Sequence, residues 1–206
     1  MKRLSYNGLD SFGRERLSKS FFMRDFLYSE IANFYGVPNI PSDPELAIKA
    51  GRHLCEELLE PLQDQFGRIS IRSAFRSCEV NQLGNEKRHN CSVNERNYAA
   101  HIWDRRDEDG LMGATACIIV NSFVPYYERT GHWEALAWWI HDHLPYSTMT
   151  FFPKCAAFNV RWQERPKRHI KSEIPPRKGT LTKSGRENFE GSHEREYAAW
   201  LACCAT

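Results

Sequence analysis

"EELLEPLQDQFGRISIRSAFRSCEVN", residues 56–81, changes its period partway through, and that change decides the fold. Before Gly67 the apolar residues recur at helical spacing. Leu54, Leu58 and Leu62 fall on one stripe, and Ser42 or Asp43 can cap the helix that carries them. Pro61 lies inside that pattern. It has no amide hydrogen and its ring meets the preceding turn, so a kink, or an end with a restarted last turn, is expected there. After Gly67, "RISIRSAF" alternates apolar and polar residues, the period of a strand with one buried face.

Outward from this junction, "FFMRDFLYSEIANFYG" (21–36) places Phe22, Phe26, Ile31 and Phe34 at roughly helical spacing. "ATACIIV" (114–120) reads as a strand or a buried helical start, and "HWEALAWWIHDHL" (132–144) as a helix closed by Pro145. "STMTFFP" (147–153) and "RHIKSEI" (168–174) are further strand candidates, while the polar, asparagine-rich region 77–97 reads as a long loop. The order helix, helix, strand, loop, strand, helix, strand, strand predicts an α+β fold with a small, mostly antiparallel sheet backed by helices. Residues 1–20 read as a polar lead-in and 21–175 as the domain. Residues 176–206 read as a basic tail, with a short helix at "EREYAAWLACC".

Composition narrows the function classes. At 206 residues the chain can hold one domain with a real core. A formal net charge of +2 does not announce a nucleic-acid binder, although "RPKRHIK" (165–171) and "PPRKGTLTKSGR" (175–186) are basic stretches. Seven scattered cysteines with no C-x-x-C pair argue against both a zinc ribbon and a disulfide framework. With no apolar signal run and no stretch of about 18 apolar residues, the expected location is cytoplasmic, with no membrane span.

The 56–81 segment resembles the zinc D-alanyl-D-alanine carboxypeptidase-like peptidases of the Hedgehog/D,D-peptidase fold. In that family a helix ending like "LLEPL" precedes a strand and an S-G-Y-R-S-P-x-x-N element. Here the element runs Ser73, Ala74, Phe75, Arg76, Ser77, Cys78, Glu79, Val80, Asn81, with Ala74 in place of the glycine. The resemblance covers roughly residues 21–172. It gives Arg76, together with Ser73, a substrate-binding role, the guanidinium holding a substrate carboxylate through a rigid two-donor fork.

The family's metal motif is S-x-H-x-x-G-x-A-x-D, whose His and Asp bind zinc. In "NERNYAAHIWD" (94–104) the resemblance puts Asp104 on the Asp, Asn97 on the His, Ala100 on the Gly and Ile102 on the Ala. "KRHIKS" supplies His169 for the family's third ligand, a late-strand His. The segment matching the general-base position contains no acid, and Glu164, five residues before His169, is the substitute. Zinc in a catalytic site takes three protein ligands and a water, and a neutral amide is a poor replacement for imidazole. His101 could restore the set from a helical or turn conformation. In a strand, however, it would face away from Asp104. His141, His143, His89 and Cys91 are further donors, and the two helix-end histidines are equally suited to capping carbonyls.

Two functions follow from the resemblance. One is a metal-dependent hydrolase, with zinc on Asp104, His169 and His101 and Glu164 moving the proton. The other is a recognition module without catalysis, which keeps Arg76 and binds a peptide or a small carboxylate-bearing ligand. Either way, residues 68–75 and a segment around 98–106 are expected to be neighbouring strands backed by the 44–65 helix, with Asn97, Asp104 and His169 clustered beside Arg76.

Overall fold

The computed structural model describes residues 5–204. Helices α1 (Tyr6–Gly13), α2 (Glu30–Tyr35), α3 (Pro44–Leu54), α4 (Glu60–Phe66) and α5 (Cys78–Glu86) account for much of its first half. The short α6 (Asn94–Asn97), then α7 (Val124–Thr130), α8 (Glu134–His143) and α9 (Glu194–Cys204) follow. Strands β1 (Ile69–Ser73), β2 (Gly113–Val120), β3 (Thr148–Phe151), β4 (Phe158–Gln163), β5 (His169–Ser172) and β6 (Gly179–Thr182) form one six-stranded sheet. Their order is β1-β2-β4-β3-β5-β6, antiparallel throughout except for the parallel pair β3–β5. The fold is therefore α+β, with a mostly antiparallel sheet.

The long central helix starts where its sequence says it should. The Asp43 side chain accepts from the Leu46 amide, Pro44 occupies the first turn, and Ala47, Ala50 and Leu54 are buried. Pro61 does not break it. The helix widens into a π-helical turn over Cys55–Leu59, in which the Glu60 amide reaches back to the Cys55 carbonyl, and α4 continues beyond it. The wider turn takes up the missing donor and ring of Pro61, so Leu54, Leu58 and Leu62 all stay fully buried.

Strand pairing gives the sheet two different faces. Val160 lies between Ala116 and Met149, and Met149 is in turn level with Ile170. These four side chains are buried in the core that α3, α4 and α8 share. On the opposite face one row runs Ser73, Cys117, Asn159, Thr150, Lys171, and the next runs Thr115, Arg161, Thr148, His169. One side of the sheet is oily and the other polar, as expected of an antiparallel sheet covered on a single face.

Several expectations need correcting. Residues 98–104 are not a strand beside β1; β2 takes that place. Asn97 ends α6, its carbonyl accepts from the amides of Ala100 and Ile102, and Ala99 sits at φ +53°, so the chain reverses sharply into a strap. Gly113 lets the strap lie on the sheet, because a Cβ there would stand 2.3 Å from the Ala99 carbonyl oxygen. The supposed 21–36 helix is a 3₁₀ turn (Met23–Phe26) followed by the short α2, leaving Phe34 80% exposed.

The region read as a long loop contains α5, capped by the Ser77 hydroxyl on the Val80 amide. Nor are the ends appendages. Phe12 and Leu17 from the lead-in, and Tyr197 and Trp200 from the tail, belong to the same core as the sheet, and β6 completes that sheet.

Candidate functional site

The polar face opens into a cleft of about 730 Å³. Ser73, Cys117 and Asn159 form its floor, Ala74–Arg76 one wall, α2 and the residues before it a rim, and the strap contributes His101. The strap and the wall are stitched together. The Arg76 amide donates to the His101 carbonyl at 2.8 Å, and His101 Nδ1 meets the Ala74 carbonyl at 2.8 Å. Further along, Arg161 Nε donates to the Ala99 carbonyl at 2.9 Å, and the Trp103 indole donates to the Thr115 carbonyl at 3.1 Å.

Arg76 is the unusual group. Its Nη1 donates to the Cys91 sulfur, a weak acceptor, and among the described residues no carboxylate lies within ion-pairing distance of it. Burial lowers its pKa from the ordinary guanidinium value, which measures how poorly the cation is solvated. Cys91 itself packs tightly on α5, where a Cβ on Gly84 would come within 2.6 Å of the sulfur.

His101 is 8% exposed. Because its Nδ1 faces a carbonyl, Nδ1 carries the hydrogen and Nε2 is left as a lone-pair acceptor. No described residue donates to Nε2. Burial, then the nearby Arg76 and Arg161 charges, push the pKa down to about 3, so the ring is neutral. Burial likewise pushes the Cys117 thiol up to about 11, and it stays protonated in the cleft floor. The cleft lining thus offers two cations, Arg72 and Arg76, one carboxylate, Glu30, a neutral acceptor and hydroxyl and amide groups, and its Cys117 is not a thiolate nucleophile.

The proposed metal ligands do not converge. The Asp104 carboxylate points at the start of α3, where Oδ2 accepts from the amides of Ser42 (2.6 Å) and Asp43 (3.4 Å). Its Oδ1 is buried without a hydrogen-bond partner among the described residues, and burial raises the carboxyl pKa although both amides oppose the shift. Asn97 Nδ2 donates to the Ser92 hydroxyl at 2.7 Å. His169 lies on β5, separated from β2 by the two strands β4 and β3, with Nε2 3.0 Å from the Thr180 hydroxyl. Burial and the charges of Lys171, Lys183 and Arg186 lower its pKa, surroundings hostile to a bound cation.

Glu164 accepts from the Met112 amide at 2.7 Å and stands 3.6 Å from Arg106, outside the cleft lining. The alternative donors are occupied as well. His141 bridges the Tyr146 hydroxyl and the Phe189 carbonyl, His143 meets the Trp139 carbonyl one turn back, and His89 meets the Tyr35 hydroxyl. Among the described residues no three His, Cys, Asp or Glu side chains are placed to share a metal ion. The donor set does not fit zinc.

Of the residues singled out from sequence, Ser73, Arg76 and His101 come together in one cleft, while Asn97, Asp104, Glu164 and His169 serve other contacts. Sequence reading missed Asn159 and Arg161. The alternation in "FNVRWQ" (158–163) was the available signal, since it puts Asn159 and Arg161 on the face opposite Phe158 and Val160. Among the described residues no helix is long and apolar enough to cross a membrane. No protein-family model, curated protein or solved structure matches the chain.

Proposed function

We propose that this chain is a divergent member of the D,D-peptidase-like lineage that acts as a recognition module, binding the C-terminal carboxylate of a peptide in the cleft without metal catalysis. One observation carries the reading: the Arg76 guanidinium sits in the cleft wall with a thiol as its only side-chain partner among the described residues. A poorly solvated cation without a counter-charge is costly, and an incoming carboxylate supplies both the charge and the second pair of hydrogen bonds. Ser73, beside it on the floor, adds a hydroxyl donor. The hydrolase reading has less support, because the Asp104 and Glu164 carboxylates are turned to backbone amides away from Arg76.

The test is a calorimetric titration with acetyl-alanyl-alanine in its D,D and L,L forms. Saturable binding is expected, weakened roughly 10-fold or more in Arg76→Lys, since an ammonium cannot reproduce the two-pronged geometry. Equal binding by that variant removes the clamp. Steady release of free alanine by the purified protein favours the hydrolase instead.

A further inference from the structure

We infer that the cleft also reads the atom next to the carboxylate: a ligand seated on Arg76 donates its last backbone N–H to Nε2 of His101. The site therefore accepts peptides and rejects esters and N-alkylated analogues bearing the same carboxylate. This rests on the carboxylate reading above and adds a chemical class to it.

The geometry supplies three supports. First, the His101 tautomer is fixed. Nδ1 is committed to the Ala74 carbonyl at 2.8 Å, so Nε2 can only accept. Second, Nε2 has no donor among the described residues although His101 is buried in the cleft lining; His89, His141, His169 and His193 use that nitrogen within the chain, and His53 and His143, which do not, are more exposed. Third, the two groups are neighbours. The Arg76 amide is bonded to the His101 carbonyl at 2.8 Å, and after burial the Arg76 charge is the next largest cause of the lowered His101 pKa. In a peptide the terminal carboxylate and the preceding N–H hang on one α-carbon, so a ligand that presents one to Arg76 carries the other alongside.

The complement is selective because both protein groups are chemically one-sided. Arg76 only donates and His101 Nε2 only accepts. An ester oxygen in place of the N–H sets lone pair against lone pair, and an N-methyl group puts bulk where the hydrogen was. Sites built to hydrogen-bond a ligand group discriminate strongly against the analogue lacking it, because the buried partner is left unpaired.

The experiment uses the full-length protein and three ligands differing at one position: acetyl-alanyl-alanine, its ester analogue acetyl-alanyl-lactate, and the analogue with an N-methylated last residue. Dissociation constants are measured by calorimetry. The ester and the N-methyl analogue should bind at least about 10-fold more weakly than the amide. In His101→Phe, which keeps a flat ring without an acceptor, amide and ester should bind alike. The unmodified protein alone decides the matter if that variant does not fold. An ester that binds the unmodified protein as tightly as the amide overturns the inference while leaving the carboxylate clamp standing. If the amide itself does not bind, the clamp fails and this inference falls with it.

Discussion

Two polar clusters in this molecule use their hydrogen-bonding capacity in opposite ways. At the end of α8, Asp142 accepts from the His193 amide (2.7 Å), from His193 Nδ1 (2.7 Å) and from the Tyr197 hydroxyl (3.1 Å). The other ring nitrogen of His193 meets the Asn188 carbonyl, and Trp138 stacks on the imidazole at 3.9 Å. In the cleft, Arg76 has no carboxylate among the described residues and His101 Nε2 no donor. A cluster closed on itself fastens one part of the chain to another. One left open, in the wall of a cleft, costs stability that only a ligand can restore.

The closed cluster should therefore break the fold when cut, and the open one should not. The largest effect is expected where the fastened tail enters the core. Trp200 is fully buried against Phe66 and Phe123, and Trp200→Ala should destabilise by roughly 3–5 kcal/mol in denaturant unfolding. A change within about 0.5 kcal/mol would make α9 an appendage after all.

Asp142→Asn comes next, at roughly 2 kcal/mol near neutral pH. Burial alone would raise the Asp142 pKa, but the bonds from His193 and Tyr197 outweigh it and the carboxyl ends below its usual value. A depressed folded-state pKa means that the carboxylate contributes stability above the unfolded value of about 3.9 and loses it as pH falls through the lower folded value. The gap between wild type and variant should accordingly narrow below about pH 4 in melts run across pH. A gap that is constant with pH would mean the charge is irrelevant.

Gly113→Ala sharpens the contrast from the cleft side. Its Cβ would stand 2.3 Å from the Ala99 carbonyl and 2.9 Å from that of Trp162, both backbone atoms. The strap must lift, at about 1–3 kcal/mol. His101 moves with it, so peptide binding should weaken together with stability. Binding that is unaffected would separate the strap from the site.

The sequence made the oily face legible and the polar face obscure. Leu54, Leu58 and Leu62 announce the central helix, and the alternation around Ile69 announces the strand that it feeds, because burial on one side imposes a period. The two strands overlooked, β4 and β6, had their signals diluted. "FNVRWQ" carries Trp162 and Gln163 next to each other, both buried, and "GTLT" is only four residues long. The cleft gave itself away in part. Arg76 and Ser73 follow from a contiguous element, but the fate of Asp104 depends on a turn at Ala99, a residue not ordinarily found at positive φ. That reversal sends Asp104 to the start of α3 and His101 to the cleft, a division that spacing alone does not reveal.

The central claim is that Arg76 is held without a counter-charge for the sake of a ligand. Thermal denaturation of wild type and Arg76→Met, each with and without millimolar acetyl-alanyl-alanine, tests it most directly. Replacing an unpaired, poorly solvated cation by a chain of similar volume should leave the free protein as stable or about 1 kcal/mol more stable, while the ligand-induced rise in melting temperature seen in wild type disappears. A variant that is markedly less stable, or one that the peptide still stabilises as it does the wild type, would contradict the account.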